Sequence, residues 1–319
     1  MYSRITGTGS YLPERILTNL DLETMVDTSA EWIRSRTGIE QRRIAADDET
    51  TSDLAYHASL AAMEMAGVSP QDIDMIVVGT CTPDLVFPNV GCLLQRRLGI
   101  GGGPAFSVEA ACSGFMYALT IADQFMRTGS IRRALVVGAE TMSRIVDWTD
   151  RETCVLFGDG AGAIVIEAAD EPGVIYSSLG ADGKYKSLLY ADTGVSKKSF
   201  AHDTSLIRMK GNEVFKVAVR TLERMVDEVV EKNNLQQDDI DWFVPHQANL
   251  RIITATARRL KIPMERVVLT VAEHGNTSAA SVPMALDTAV RDGRIKRGDL
   301  LLLEAFGGGL TWGASLIRY

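Results

Sequence analysis

Apolar residues recur at helical spacing over residues 53–66 (DLAYHASLAAMEMA) and stop at Gly67, which predicts an amphipathic helix. An unbroken apolar run, Ile73 to Val78, follows between polar turns and predicts a buried strand. AFSVEA (105–110) reads as a second strand. Phe115, Met116, Leu119, Ala122, Phe125 and Met126 then share one helical face, ending at Gly129. ALVVG (134–138) is a third strand. The order then recurs: a helix over 213–232, strand IDWFV, a helix over 249–261 stopped by Pro263, strand VVLTV (267–271), a helix over 279–291 and strand LLLLEA. Strands alternating with helices predict an α/β fold with a mostly parallel sheet covered by helices. In such sheets ligands bind beyond the carboxyl ends of the strands.

The recurrence has a register. Residues 68–82 (VSPQDIDMIVVGTCT) echo 235–249 (LQQDDIDWFVPHQAN) at an offset of 167, pairing Asp72 with Asp239, Ile73 with Ile240, Asp74 with Asp241 and Val77 with Val244. The same offset pairs Ala118-Leu119 with Ala285-Leu286 and Ala122 with Ala289. No shorter period exists, so a solenoid is excluded. The expected organisation is a duplicated unit split near Pro172-Gly173, with halves 1–172 and 173–319.

Composition narrows the class. With 319 residues, 46% hydrophobic and 23% charged, the chain can bury a large core and is neither disordered nor collagen-like. A net charge of −8 opposes wholesale nucleic-acid binding. Cys81, Cys92, Cys112 and Cys154 never form C-x-x-C, so no zinc or thioredoxin spacing is present. Scattered cysteines, no membrane-length apolar run and no apolar core in MYSRITGTGSYLPE lead to the expectation of a cytoplasmic protein without membrane association. The glycine motifs fit nucleotide binding poorly: the G-x-G-x-x-A of Gly158 to Ala163 leads into strand AIVIEA, not a helix, and Gly183-Lys184 lacks Walker spacing.

The strand ends carry the chemistry. Cys112 follows AFSVEA where a helix begins, a position expected to favour the thiolate. The plainer reading is a small buried residue. His246 follows IDWFV, and a lone histidine is more often a satisfied core residue. Asn276, in EHGNTS, lies just before Ala279, the repeat counterpart of Cys112. Three polar groups converging on one cleft is what nucleophilic catalysis requires. Gly307 to Gly309, after LLLLEA, make a tight turn and let backbone N–H groups approach a ligand oxygen.

EAACSGF, VPHQAN, HGNTSAAS and the closing EAFGGGLTWGASLIRY resemble β-ketoacyl-acyl carrier protein synthase III, of the thiolase-like superfamily, from the first residues to the last. The resemblance implies a duplicated five-layer αβαβα fold. It implies a decarboxylating Claisen condensation of an acyl-CoA with malonyl-acyl carrier protein, giving a 3-ketoacyl thioester that initiates fatty acid elongation. Cys112 would carry the acyl group, His246 and Asn276 would hold the enolate oxygen, and the N–H groups of Cys112 and Gly308 would form the oxyanion hole. His274 is read as structural. Thiolases use a second cysteine near the C-terminus, and no cysteine follows Cys154 here. The resemblance further implies CoA contacts from Trp32, Arg36, Arg151 and Asn249, with no permanently bound cofactor. It implies a homodimer in which Phe87 closes the partner's acyl pocket. Leu156, Phe157, Leu189, Met209 and Phe306 would complete that pocket, and their packing decides chain length. Carrier proteins are acidic, so a basic patch of Lys216, Arg251 and Arg258 is the expected docking site. Competing readings are a paralogue priming a specialised metabolite, a cysteine thioesterase using Cys112 and His246, and a non-catalytic acyl-binding protein.

Overall fold

A computed structural model describes residues 1–192, 194–196, 206–236 and 238–319. In the first half the elements are β1 (Tyr2–Tyr11), β2 (Arg15–Thr18), α1 (Asn19–Glu23), α2 (Ala30–Thr37), β3 (Gln41–Ile44), α3 (Thr51–Ala66), β4 (Met75–Gly79), α4 (Val90–Leu98), β5 (Ala105–Val108), α5 (Gly114–Arg127), β6 (Arg133–Thr141) and β7 (Asp159–Ala169). The second half has β8 (Val174–Ala181), β9 (Leu189–Ala191), β10 (Ile207–Met209), α6 (Gly211–Lys232), β11 (Trp242–Pro245), α7 (Leu250–Leu260), α8 (Val271–His274), α9 (Ser281–Arg291), β12 (Leu300–Gly307) and β13 (Thr311–Arg318).

Two sheets, ordered β1-β7-β6-β4-β5 and β11-β12-β13-β8, alternate with three helical layers. Strand parity dictates the layering. On β4, Met75 and Val77 face a core shared with α5 and α9, while Ile76 and Val78 face α3 and α4. On β12, Leu301 and Leu303 face the same central helices, while Leu300 and Leu302 face α6 and α7. Runs apolar at every position are what a sheet covered on both faces requires. The sequence of layers is therefore α3/α4, sheet, α5/α9, sheet, α6/α7, the five-layer thiolase-like fold. Among the described residues no helix is long and apolar enough to cross a membrane.

The sheets are mixed rather than mostly parallel, against expectation. β4 runs parallel to β5 and β6, and β11 to β12, but β7 and β13 return antiparallel. The parallel pairs are those joined through helices. β6 reaches β7 without an α-helix, and β12 reaches β13 through residues 308–310 alone, which only antiparallel pairing allows.

The offset of 167 recurs in the coordinates. It carries β4 onto β11 and β6 onto β12. It also carries the 3₁₀ turn Ala111–Ser113 onto Ser278–Ala280, and the start of α5 at Gly114 onto the start of α9 at Ser281. Both turns open on a non-glycine residue in the left-handed region, Ala111 at φ 45° and Ser278 at φ 50°. Such strain persists only where the surroundings enforce it, commonly at functional sites.

VVLTV is not a regular strand. Val267 makes a single bridge to Phe243, and a helical turn starts at Val271. Gln247 is the physical reason. Fully buried, its Oε1 accepts from the N–H groups of Thr270 (2.8 Å) and Val271 (3.1 Å), and its Nε2 donates to the carbonyls of Pro245 (2.7 Å) and Val268 (3.1 Å). One side-chain amide thus replaces a stretch of ladder and turns the chain towards Asn276.

Candidate active site

β5 delivers the chain to Ala110, and the left-handed Ala111 swings Cys112 into the 3₁₀ turn ahead of α5. Cys112 is buried and opens on a cavity of about 240 Å³ that Cys81, Met142, Phe157, Leu189, Ser278 and Gly308 also line. The expected thiolate-favouring environment is not found. Burial pushes the thiol up to about 12, the Ser278 hydroxyl opposes that rise, and the Glu140 carboxylate adds to it. Magnitudes explain the outcome. Full burial shifts a group by up to about 3–5 pKa units. A helix terminus supplies at most about 2 kcal/mol, roughly 1.5 units. Cys112 rests as a neutral thiol.

His246 stands at the end of β11, its N–H bonded to the Glu304 carbonyl at 2.8 Å. Its Nδ1 lies 2.5 Å from Ser281 Oγ, and that oxygen accepts the Gln247 N–H at 3.3 Å. The hydroxyl has one hydrogen and a second lone pair, so this contact accommodates the ring hydrogen on either nitrogen. Burial lowers the imidazole to about 3, so the ring is neutral, one nitrogen a donor and the other an acceptor. Asn276 is fixed through its backbone, donating to the Leu156 carbonyl (2.9 Å) and accepting from the Gly158 N–H (3.0 Å). Its Oδ1 accepts the Ser278 N–H at 2.9 Å, which leaves Nδ2 as the donor. Ser278 lines the same cavity as Cys112. The short segment 278–281 therefore bonds two of the three motif residues, Asn276 through Ser278 and His246 through Ser281, and shares the cavity of the third.

Gly307 packs on Cys112. A Cβ there would lie 2.6 Å from the Cys112 backbone nitrogen, so only glycine lets the turn bring Gly308 to the cavity wall. His274, by contrast, is buried, is not among the cavity-lining residues, and is lowered to about 4 by burial and Arg43.

The remaining predicted residues divide. Trp32 and Arg151 face each other with the guanidinium 5.1 Å from the ring centroid, and Arg151 donates to the Asp27 carbonyl at 2.7 Å. Arg36 is exposed on the same helix as Trp32. Asn249 caps α7, accepting the Arg251 N–H at 2.9 Å, and donates to the Arg36 carbonyl at 3.1 Å, which ties α2 to α7. Of the acyl-pocket set, Phe157 and Leu189 line the cavity. Leu156, Met209 and Phe306 do not; they pack in the core under α6 and α7, Phe306 because it shares the parity of Leu300 and Leu302 on β12. Phe87 is 83% exposed. Lys216, Arg251 and Arg258 are exposed on α6 and α7, Arg251 lying 5.3 Å from the Phe215 ring centroid. Arg259 is neutralised by Asp227 at 2.6 Å.

Sequence reasoning missed the supports: Gln247, Ser278 and Ser281, and the buried Glu140 at the end of β6. The serines and the glutamine stood inside the quoted motifs. Glu140 offered one signal, a carboxylate within an otherwise apolar strand. Cys81, Met142, Ile145 and Ile207 were missed as cavity walls because they come from loops and a short hairpin that periodicity does not predict.

A buried thiol beside a neutral histidine, a fixed asparagine and a glycine turn, set on a five-layer fold, is the arrangement of an acyltransferase of the thiolase-like class. Family models described as 3-oxoacyl-[acyl-carrier-protein] synthase III and its C-terminal part match residues 106–183 and 230–319. The β-ketoacyl-[acyl-carrier-protein] synthase III of Alkalilimnicola ehrlichii is 63% identical over all of this chain and 99% of its own length. The enzyme of the same name from Thioalkalivibrio sulfidiphilus is 62% identical over the same shares. The 3-oxoacyl-[acyl-carrier-protein] synthase III structure from Aquifex aeolicus superposes with a TM-score of 0.94 at 49% identity, covering 99% of this chain and 100% of that one. The priming β-ketosynthase of the R1128 polyketide pathway superposes at 0.95 with 39% identity, covering 99% and 96%. The chain belongs to the β-ketoacyl-acyl carrier protein synthase III family, and it performs that family's acyl-condensing step in fatty acid synthesis.

Proposed function

We propose that Cys112 takes an acyl group from acyl-CoA as a thioester, and that malonyl-acyl carrier protein then enters the same site. The N–H groups of Cys112 and Gly308 hold the tetrahedral oxyanion. His246 Nε2 and Asn276 Nδ2 donate to the malonyl thioester oxygen, so that loss of CO2 leaves an enolate with two fixed partners. The enolate carbon attacks the acyl thioester, and the 3-ketoacyl product leaves as Cys112 regains its proton. Loss of CO2 generates the carbanion, so no base removes a carbon-bound proton, and the chemistry needs no resident cofactor. The observation that carries this reading is the single segment 278–281, which bonds His246 and Asn276 and lines the cavity onto which Cys112 opens. Burial of His246 disfavours a cysteine thioesterase. Such an enzyme needs a histidine able to take a proton, and burial lowers this imidazole to about 3. The test is acyl-CoA alone, then malonyl-acyl carrier protein: a water-stable acyl-enzyme that discharges with CO2 release is expected. Discharge by water alone would establish the hydrolase.

Trp32, Arg151, Arg36 and Asn249 form the CoA approach. The Trp32–Arg151 pair admits the adenine by parting and stacking on both its faces. Lys216, Arg251 and Arg258 receive the acidic carrier protein. Charge reversal at Arg251 and Arg258 is expected to raise KM for the carrier-bound substrate about tenfold or more, with acyl transfer from CoA unchanged. Equal effects on both substrates would remove the docking assignment.

The chain acts as a homodimer of two-half subunits, 1–172 and 173–319, in a reducing cytoplasmic compartment suited to four free thiols. Two features support the dimer: β5 is an edge strand, and Leu85, Val86 and Phe87 are consecutive exposed apolar residues. Phe87 would close the partner's acyl pocket. A sedimentation mass of a single chain would overturn this.

A further inference from the structure

One wall of the Cys112 cavity is the β9–β10 ribbon, which contributes Leu189, Tyr190, Ala191 and Ile207. An adjoining wall is the segment carrying Met142 and Ile145. The ribbon is a separate two-stranded sheet with three residues in each strand, Ile207 opposite Ala191, Arg208 opposite Tyr190 and Met209 opposite Leu189. Two-stranded ribbons are marginal without help from their surroundings. Alternation along the strands puts Leu189, Ala191 and Ile207 on one face and Arg208 on the other. On the cavity face, Ile207 belongs to one apolar cluster with Met142 and Phe157, and its N–H donates to the Ile145 carbonyl at 2.8 Å.

Arg208 ties the other face. Its Nη1 donates to Asp147 Oδ2 at 2.9 Å and its Nε to Asp192 Oδ2 at 3.0 Å. Asp147 lies two residues beyond Ile145 and is itself fixed: its Oδ1 accepts from Thr149 Oγ1 (2.6 Å) and the Thr149 N–H (3.1 Å). Asp192 follows β9, and its Oδ1 accepts the Leu206 N–H at 2.9 Å. An isolated surface ion pair contributes little. Here one guanidinium joins two carboxylates, and none of the three side chains is more than 33% exposed. The planar fork of arginine can serve both partners at once, which a single ammonium cannot do as well. The bond to Ile145 on one face and the bond to Asp147 on the other thus hold the two walls at a fixed separation. Packed walls reject additional methylenes that a yielding wall would admit. We infer that Arg208 is a specificity-determining residue for the acyl group: by clamping the β9–β10 wall against residues 145–147, it limits the length of the chain that Cys112 can carry. It touches no substrate and is a positioning residue. The inference rests on the proposed role of this cavity as the acyl pocket.

The test is acylation of the full-length protein by a straight-chain series from acetyl-CoA to dodecanoyl-CoA, read as kcat/KM for each length. Arg208→Met keeps an unbranched stem, removes the fork and leaves two carboxylates without their shared cation, so they repel across the gap. The readout is the ratio of kcat/KM for the first chain length that the wild type rejects to that for acetyl-CoA. Arg208→Met is expected to raise this ratio about tenfold or more, the range in which a pocket discriminates by a methylene. Arg208→Lys is expected to fall between the two. A merely structural role would lower kcat/KM across the series and leave the ratio where it was, and that result overturns the inference. A wild-type rate that does not fall with chain length overturns it too. If Arg208→Met fails a thermal-unfolding check, Asp192→Asn, which keeps an acceptor for Leu206 and removes the charge, decides by the same ratio. Wild-type protein that takes no acyl group on Cys112 from any member of the series overturns the acyl-pocket reading instead.

Discussion

His246→Ala and Asn276→Ala each lose decarboxylation of malonyl-acyl carrier protein by about 10²–10³-fold while still accepting an acyl group from acyl-CoA. The magnitude is that of removing one preorganised donor from a developing oxyanion in a water-excluded site. The separation of the two half-reactions follows from the geometry. The Ser278 N–H fixes Asn276 Oδ1 and leaves Nδ2 to donate, and burial keeps the His246 ring neutral, lowering it to about 3. Neither is suited to take the Cys112 proton. Acyl loading is followed as mass gain of the protein, and decarboxylation as CO2 release. Normal CO2 release by both variants would remove their role at the enolate. Loss of loading in both would show that they act on the nucleophile.

Cys112→Ser abolishes condensation, by on the order of 10⁴-fold or more, as expected for loss of a nucleophile. A serine hydroxyl is far harder to deprotonate than a thiol, and its ester exchanges less readily than a thioester. The replacement is nearly isosteric, and the site lies in the same small turn between β5 and α5, so stability should change by only about 1 kcal/mol. Condensation assays beside a thermal melt check both halves of the prediction. Cys81 makes the experiment informative, because it is a second thiol on the same cavity and would rescue activity if it could substitute.

The pattern of apolar residues was most legible where two faces are covered at once. Ile73 to Val78 and LLLLEA read as strands because their two parities face two helical layers. VVLTV read identically and failed, because Gln247 takes over its backbone partners; a side chain competing with the ladder leaves no periodic trace. The parallel sheet was over-predicted because alternation of elements says nothing of strands that return without a helix, as β7 and β13 do. At the site, the motifs supplied the candidate residues, and the duplication offset placed Cys112 in one turn and Asn276 just before the equivalent one. What did not show was protonation. A helix start suggested a thiolate, but burial outweighs the terminus, and burial belongs to tertiary packing. Glu140 shows the same limit: its strand was predicted, yet the Ser278 contact spans 138 residues.

The central claim is that the acyl chain is carried on Cys112. Mixing the protein with acyl-CoA, then digesting and mapping the modified peptide by mass spectrometry, tests it most directly. One acyl group on the peptide bearing Cys112, with Cys81 unmodified, is the predicted result. An acyl group on Cys81, or no covalent adduct with any acyl-CoA, would contradict it.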